Sequence, residues 1–372
     1  MADRHMSAHR ATASHSPAQP APPGKGPRGM WWLAWRQHRL AVAVALAVLV
    51  ILAGALLIFR AQMIGALHSL GCSVADQQVC HNKPEYWTVM DPIESRWHIV
   101  RIALIVAPIV LGVFVGAPIF PREFDQRTDV FALTQSVGRL RWWASKVAVA
   151  GVPLVAGLIG LGYFAGWVDN SFQDTARSEL DDGTFHVHSI VPAVLGLLAL
   201  AIAVTAGIVV RSVVGSLVTG LIIAAGAVML IAFPLRSHLL PVTRDLTPIA
   251  DLQPYGPGAD AISSAGADEP SSWLLGSGFV DTAGHAMAPL AAACDTPPPS
   301  GEHPSAQAIR AANEAVEQCR RDKGIAAWYT DYLPASMLWP MRGIVAGVCV
   351  LLAALSLAAG ALRLRVRGGS RN

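Results

Sequence analysis

The sequence predicts an all-α membrane protein of six transmembrane helices, with both termini cytoplasmic and a large extracellular loop between the fifth and sixth helices. Three observations predict it. Of 372 residues, 53% are hydrophobic and 14% charged, where an ordinary soluble domain carries roughly 25% charged residues. Apolar runs of about 20 residues recur along the chain, each enough to cross roughly 30 Å of hydrocarbon at about 1.5 Å per residue. The loops between these runs alternate in charge.

Residues 1–29 are rich in Pro, Ala, Ser and His without apolar periodicity, and are expected to form a disordered N-terminal extension. No apolar core precedes a cleavage site there, so they do not read as a secretory signal. Met30 is a candidate for the natural start. It opens MWWLAWRQHRL, where Trp31 and Trp35, four apart, with Arg36 and Arg39, three apart, suit a short helix anchored in the cytoplasmic interface. Residues 30–233 then hold this interface helix and five spans. The first is 40–59. The second, 99–120, contains only Arg101, near enough to its start for the side chain to snorkel to the headgroups. The third is 147–167. From 191 to 233 the chain is apolar but for Arg211 and Ser212, about twice the length of one crossing, so a tight turn at Arg211 divides it into spans 191–210 and 213–233. The sixth span, 344–362, lies within 341–372 and runs into a basic tail.

Six crossings put both termini on one side, and Lys and Arg identify that side as the cytoplasm. Segments 1–39, 121–146, Arg211 and 363–372 together hold 16 basic and 4 acidic residues, whereas 60–98, 168–190 and 234–340 hold 10 basic and 21 acidic. Dropping one span would mix the two classes of loop. The cysteines agree, because disulfides persist outside the reducing cytosol. Cys72 and Cys80 share the first outer loop, Cys294 and Cys319 share the last, and pairing within each loop is the simplest connectivity. Cys349, alone in the sixth span, reads as a packing residue.

The loop 234–340 is long enough for structure of its own. Residues 305–324 read as a helix, with Ser305 as cap, Ile309, Ala312, Val316 and Cys319 on one face, and Gly324 after its end. It could serve as a lid over an outer exit or as a stapled cap that stabilises the fold. His186 and His188 in the third loop lack a third ligand at metal-binding spacing, and read as solvated. No metal site is expected.

Several chemistries are excluded by what is missing. There is no GxxxxGK[ST] phosphate loop, no HExxH and no GxSxG elbow, so the chain is not expected to be an enzyme or to bind a cofactor of its own. No Asp or Glu lies in any of the six spans, which disfavours coupling to protons or sodium.

The polar island at 121–146 separates the second and third spans on the cytoplasmic side. Phe124, Val130, Phe131, Leu133, Val137 and Leu140 fall near helical spacing, with Glu123, Asp125, Arg127 and Thr128 on the remaining surface. Trp142, Trp143 and Lys146 are placed to anchor the return at the membrane interface. A short charged helix between two spans suits a transport subunit that takes force from a soluble motor. A solvated loop with no partner is the plainer alternative.

The stretch GAPIFPREFDQRTDVFALTQSVGRLRWWASK resembles a segment of actinobacterial ABC type 2 permeases. Gly116, Ala117, Pro118, Arg122, Glu123, Thr128, Thr134, Gln135, Ser136, Arg139, Arg141, Trp142 and Lys146 match that family's pattern. WRQHR at 35–39 and YLPASMLWP at 332–340 resemble its first and last blocks. Pro121, Asp125 and Arg127 depart from the pattern, and Met341 with Arg342 stands where a Gln is expected. The resemblance implies an exporter permease in the plasma membrane, working as a homo- or heterodimer with a separate cytosolic ATP-binding-cassette subunit. ATP and Mg would belong to that partner. It also implies that the segment around Arg122 and Glu123 is the coupling helix. The lipid bilayer is the other expected partner, and no nucleic acid is expected. The substrate is not specified, although spans of small and apolar residues suit a lipophilic or amphipathic cargo. The alternative in another class is a non-transporting immunity or sensor subunit on the same fold.

Overall fold

The computed structural model describes residues 28–73, 80, 83–122, 139–169, 179–232, 238–252, 272–287, 294 and 305–369. Among them, six helices are long and apolar enough to cross a membrane. Helix α1 is a single rod, Arg28–Ser69. No proline interrupts that stretch, so nothing divides the tryptophan-rich start from the first span, and the separate interface helix expected there is the first turns of α1. Of the expected extension 1–29, residues 1–27 lie outside the described residues.

Helix α2, Tyr86–Gly116, begins 13 residues ahead of the expected second span. Its added turns are amphipathic: Tyr86, Met90, Ile93 and Trp97 are buried at helical spacing among polar residues, a pattern that a hydropathy window averages away. Trp97 stacks on Phe59 of α1 with ring centroids 4.5 Å apart. Helix α3 is Arg139–Asp169. Helices α4, Val191–Val210, and α5, Val213–Leu230, are separated by two residues. There Arg211 adopts the left-handed conformation (φ 61°) and its N–H donates to Gly207 O at 3.1 Å. Ser212 caps α5, its Oγ accepting from the Gly215 N–H.

The connection between α5 and the last helix corrects the all-α expectation. It holds strands β1, Thr243–Pro248, and β2, Trp273–Asp281, then helix α6, Ala306–Asp322, and strand β3, Ile325–Leu333. The sheet has the order β1-β3-β2, antiparallel throughout. The Oγ of Ser305 caps α6 by accepting from the Ala308 N–H. Helix α7, Leu338–Gly369, closes the chain and carries the helix past 362 into the basic tail.

Helix α4 is the axis of the bundle, packed by α2, α3, α5 and α7, while α1 lies against α3 and α2. The α2–α4 contact is closest. A Cβ added at Gly112 would sit 2.5 Å from Gly196 O, and one at Gly116 2.8 Å from Leu200 O, so glycine lets the two backbones touch. The start of α1, the end of α2, the start of α3 and the α4–α5 turn share one end of the bundle. The other end carries the sheet, residues 179–190 and both disulfides, Cys72–Cys80 and Cys294–Cys319. Arg60 of α1 lies over the Trp167 ring of α3 at 4.1 Å there.

Candidate functional site

The segment expected to couple the chain to a motor starts at the end of α2 and finishes at the start of α3. Glu123, Asp125, Arg127 and Thr128 lie outside the described residues. Arg122 is described and exposed. Both flanks of the segment are held firmly. Phe120 is buried and meets Trp142 edge-on at 5.5 Å. Pro121 and the carbonyl of Ala117 crowd Gly207 of α4, where an added Cβ would meet both within 3.1 Å. Ser145 Oγ donates to Trp142 O at 2.8 Å.

Lys146, expected as a headgroup anchor, is held against the protein. Its side chain is buried and its ammonium lies 4.6 Å from the centre of the Trp142 ring, a cation–π contact facing into the protein. His38 of α1 is buried beside it. Trp31 and Trp35 are exposed, as residues facing lipid and headgroups would be, and Trp142 and Trp143 are half-buried. The two flanks of the segment are thus packed against each other and against α1 and α4.

Sequence reasoning missed a second polar site at the opposite end. Residues 179–190 are packed inside, and His186 and His188 are both buried rather than solvated. Glu179 Oε2 accepts from Arg342 Nη2 of α7 at 2.9 Å, their side chains 35% and 5% exposed. His188 Nε2 faces Asp169 Oδ2 at the end of α3 at 3.4 Å, with side chains 3% and 30% exposed. Burial holds the His188 imidazole below its ordinary range, with Asp169 and Glu179 pulling it back up and Arg342 adding to the depression. Arg101 of α2 lies against Gly183, where a Cβ would come within 2.7 Å of the guanidinium. Ser189, with φ 62°, donates its N–H to Gly162 O of α3 at 3.1 Å. The sequence did carry a signal: Arg342 stands two residues ahead of the sixth span, close enough to the membrane for a charge to need a partner.

Away from the helices, Arg244 on β1 pairs bidentately with Asp331 on β3, at 2.7 and 2.8 Å, and holds that carboxyl below its usual range. Arg320 of α6 is buried over Phe279 of β2 at 4.6 Å. Among the described residues no group of three or more His, Cys, Asp or Glu could hold a metal ion.

The family described as ABC-2 membrane transporter related matches residues 46–236, just over half of the chain, and so takes in α2 to α5, both flanks of the 121–146 segment and residues 179–190. No curated protein and no solved structure matches the chain.

Proposed function

The chain belongs to the ABC-2 membrane transporter related family, and we propose that it is the membrane-spanning subunit of an ABC-type exporter, driven by a separate cytosolic ATP-binding-cassette subunit. The family match over a bundle of six apolar helices carries this reading. The charge asymmetry between loops supports a cytoplasmic position for the termini and the 121–146 segment, and disulfides at the opposite end of the bundle suit an outer side there. ATP and Mg bind in the partner. The permease sits in the plasma membrane, pairs with a second permease subunit, and moves a lipophilic or amphipathic cargo outward. The buried flanks of the 121–146 segment support the transmission step, because a push on a loosely tethered loop would dissipate before reaching α2 and α3.

Glu123 and Arg127, four apart, could pair on a free helix for only about 0.3–0.5 kcal/mol, too little to be a stability device. Truncating one partner of a desolvated charged contact costs roughly 2–5 kcal/mol, or on the order of 30- to 5,000-fold in affinity. Glu123→Ala is therefore expected to leave accumulation in the membrane unchanged and to reduce co-purification of the ATPase subunit by at least about 30-fold in affinity. A Glu123→Ala protein that keeps its ATPase and full transport-linked ATP hydrolysis would refute the coupling assignment.

A further inference from the structure

Residues 179–190 are the described part of the connection from α3 to α4. Leu180 and Phe185 are fully buried in one cluster with Leu195 and Leu198 of α4, Met341, Val345 and Cys349 of α7, and Trp273 and Leu333 of the sheet. The segment is thus wedged between the central helices and the sheet. Its polar ties reach two helices, Glu179 to Arg342 of α7 and His188 to Asp169 of α3, and the Arg101 side chain of α2 packs closely against Gly183.

A connection serving only to join two helices gains little from such ties. Replacing a buried ion pair with apolar side chains of similar volume is often neutral or stabilising, so the pairs are weak evidence of a stability role. Their exposure is uneven in a consistent way. In each pair the carboxylate reaches water, at 35% for Glu179 and 30% for Asp169, while the basic partner is 5% or 3% exposed. Water thus meets each contact from its acidic side.

We propose that residues 179–190 are a removable plug over the inner faces of α4 and α7, latched shut by the Glu179–Arg342 pair and the His188–Asp169 contact. The proposal rests on the transporter reading only for what the plug would close. The latch itself is a property of this chain, and needs neither ATPase nor cargo to be observed.

The molecule carries its own probe. Cys349 is buried in the same apolar cluster as Leu180 and Phe185, and among the described residues it is the free cysteine, the other four being paired. The full chain, in open membrane fragments, is treated with a small cationic methanethiosulfonate at constant pH, and modification of Cys349 is followed by mass spectrometry. A second thiol, Val345→Cys, lies one turn nearer Arg342 on the same buried stripe. With the latch intact, Cys349 in the wild type and the added thiol in Val345→Cys are both expected to react slowly. Glu179→Arg is expected to react at least about tenfold faster at one or both, tenfold in open population corresponding to about 1.4 kcal/mol. The exchanged pair, Glu179→Arg with Arg342→Glu, is expected to restore protection, which a merely misfolded variant could not do. Intact disulfides on a non-reducing gel identify folded protein in each sample. If folded Glu179→Arg and Glu179→Gln leave both thiols as protected as in wild type, or if the exchanged pair is as reactive as the single variant, the latch is disproved. These outcomes are independent of ATPase co-purification, so either proposal can fail alone.

Discussion

Helices α4 and α5 are consecutive, similar in length, and drawn from one apolar run, yet α4 is enclosed by four other helices while α5 touches the bundle along a single stripe. On α4, most residues are buried, and they point in every direction. On α5 the buried positions are Ser216, Gly220, Ala224 and Val228, every fourth residue, and Val214, Leu221, Ile222, Met229 and Leu230 face outward. In water, equal hydrophobicity would argue for equal burial. In lipid the tails are as apolar as leucine, so burial of apolar area no longer sorts helices, and close approach of backbones does. Helix α4 is central because small residues let its neighbours come near, and α5 is peripheral because its small residues occupy one line only.

The comparison predicts its own largest effect. Gly116→Leu would drive a side chain into Leu200 O, Ala203 and the α4 backbone, all within 3.3 Å of the added Cβ, where neither backbone has room to give. Overpacking of this kind costs about 1–3 kcal/mol, and sometimes more, so the variant is expected to accumulate poorly and to melt well below wild type in detergent. Gly226→Leu on α5 adds the same side chain where nothing lies within 4 Å, and a surface substitution of this sort stays within about 0.5 kcal/mol. Fluorescence-detected gel filtration after a temperature series measures both. Equal melting of the two variants would break the distinction between an enclosed helix and a lipid-facing one.

How far this arrangement was legible depends on the range of the interaction concerned. The turn at Arg211, the cap at Ser305 and the pairing of cysteines within each loop are local, and could be read from spacing alone. The six crossings follow from length. Helix α1 could have been read as one rod, since no breaker lies between its tryptophans and Ser69. The sheet could not: Arg244 on β1 finds Asp331 on β3 across 87 residues, and IAAWYTDYL shows no alternation that separates a strand from a short apolar run. Residues His186 and His188 were misjudged because loops are usually solvated, whereas this one is drawn into the bundle by Phe185 and Leu180. The burial of Lys146 was hidden for a related reason, since position near a membrane boundary does not reveal that the Trp142 ring lies beside it. The centrality of α4 was hidden because hydropathy reports whether a helix crosses, and says nothing about what it crosses beside.

A smaller effect sharpens the comparison by testing polar contacts. Thr205 of α4 donates to Ser356 O of α7 at 2.8 Å, with Ala201 O of its own helix at 3.0 Å, and Ser356 Oγ reaches Thr205 Oγ1 at 3.1 Å. Two hydroxyls thus join the central helix to α7. Hydrogen bonds between membrane helices average about 0.6 kcal/mol and reach about 1.7. Thr205→Val keeps the shape and removes the hydroxyl, so its melting temperature should fall measurably, though less than for Gly116→Leu. No change in melting would mean that the Thr205 hydroxyl adds nothing to packing and to the bond from Ser356 Oγ to Ala201 O at 3.2 Å.

The smallest expected effect belongs to α5. Ser216 is fully buried and its hydroxyl has one proton to give, either to Val213 O within its own helix at 2.9 Å or to Ala117 O just past α2 at 3.2 Å. The shorter bond is internal to α5, so it fastens α5 to nothing. The longer one crosses to the neighbouring segment, but it is the weaker of the two and competes with the internal bond for the single hydroxyl proton. Ser216→Ala loses one atom from a position that alanine otherwise suits, as Ala224 two turns later on the same stripe shows. The cost should be a few tenths of a kcal/mol, below that of Thr205→Val. If Ser216→Ala instead lowers the melting temperature more than Thr205→Val does, then α5 depends on that one polar tie to remain in the bundle, and small-residue packing would not be what places the two helices.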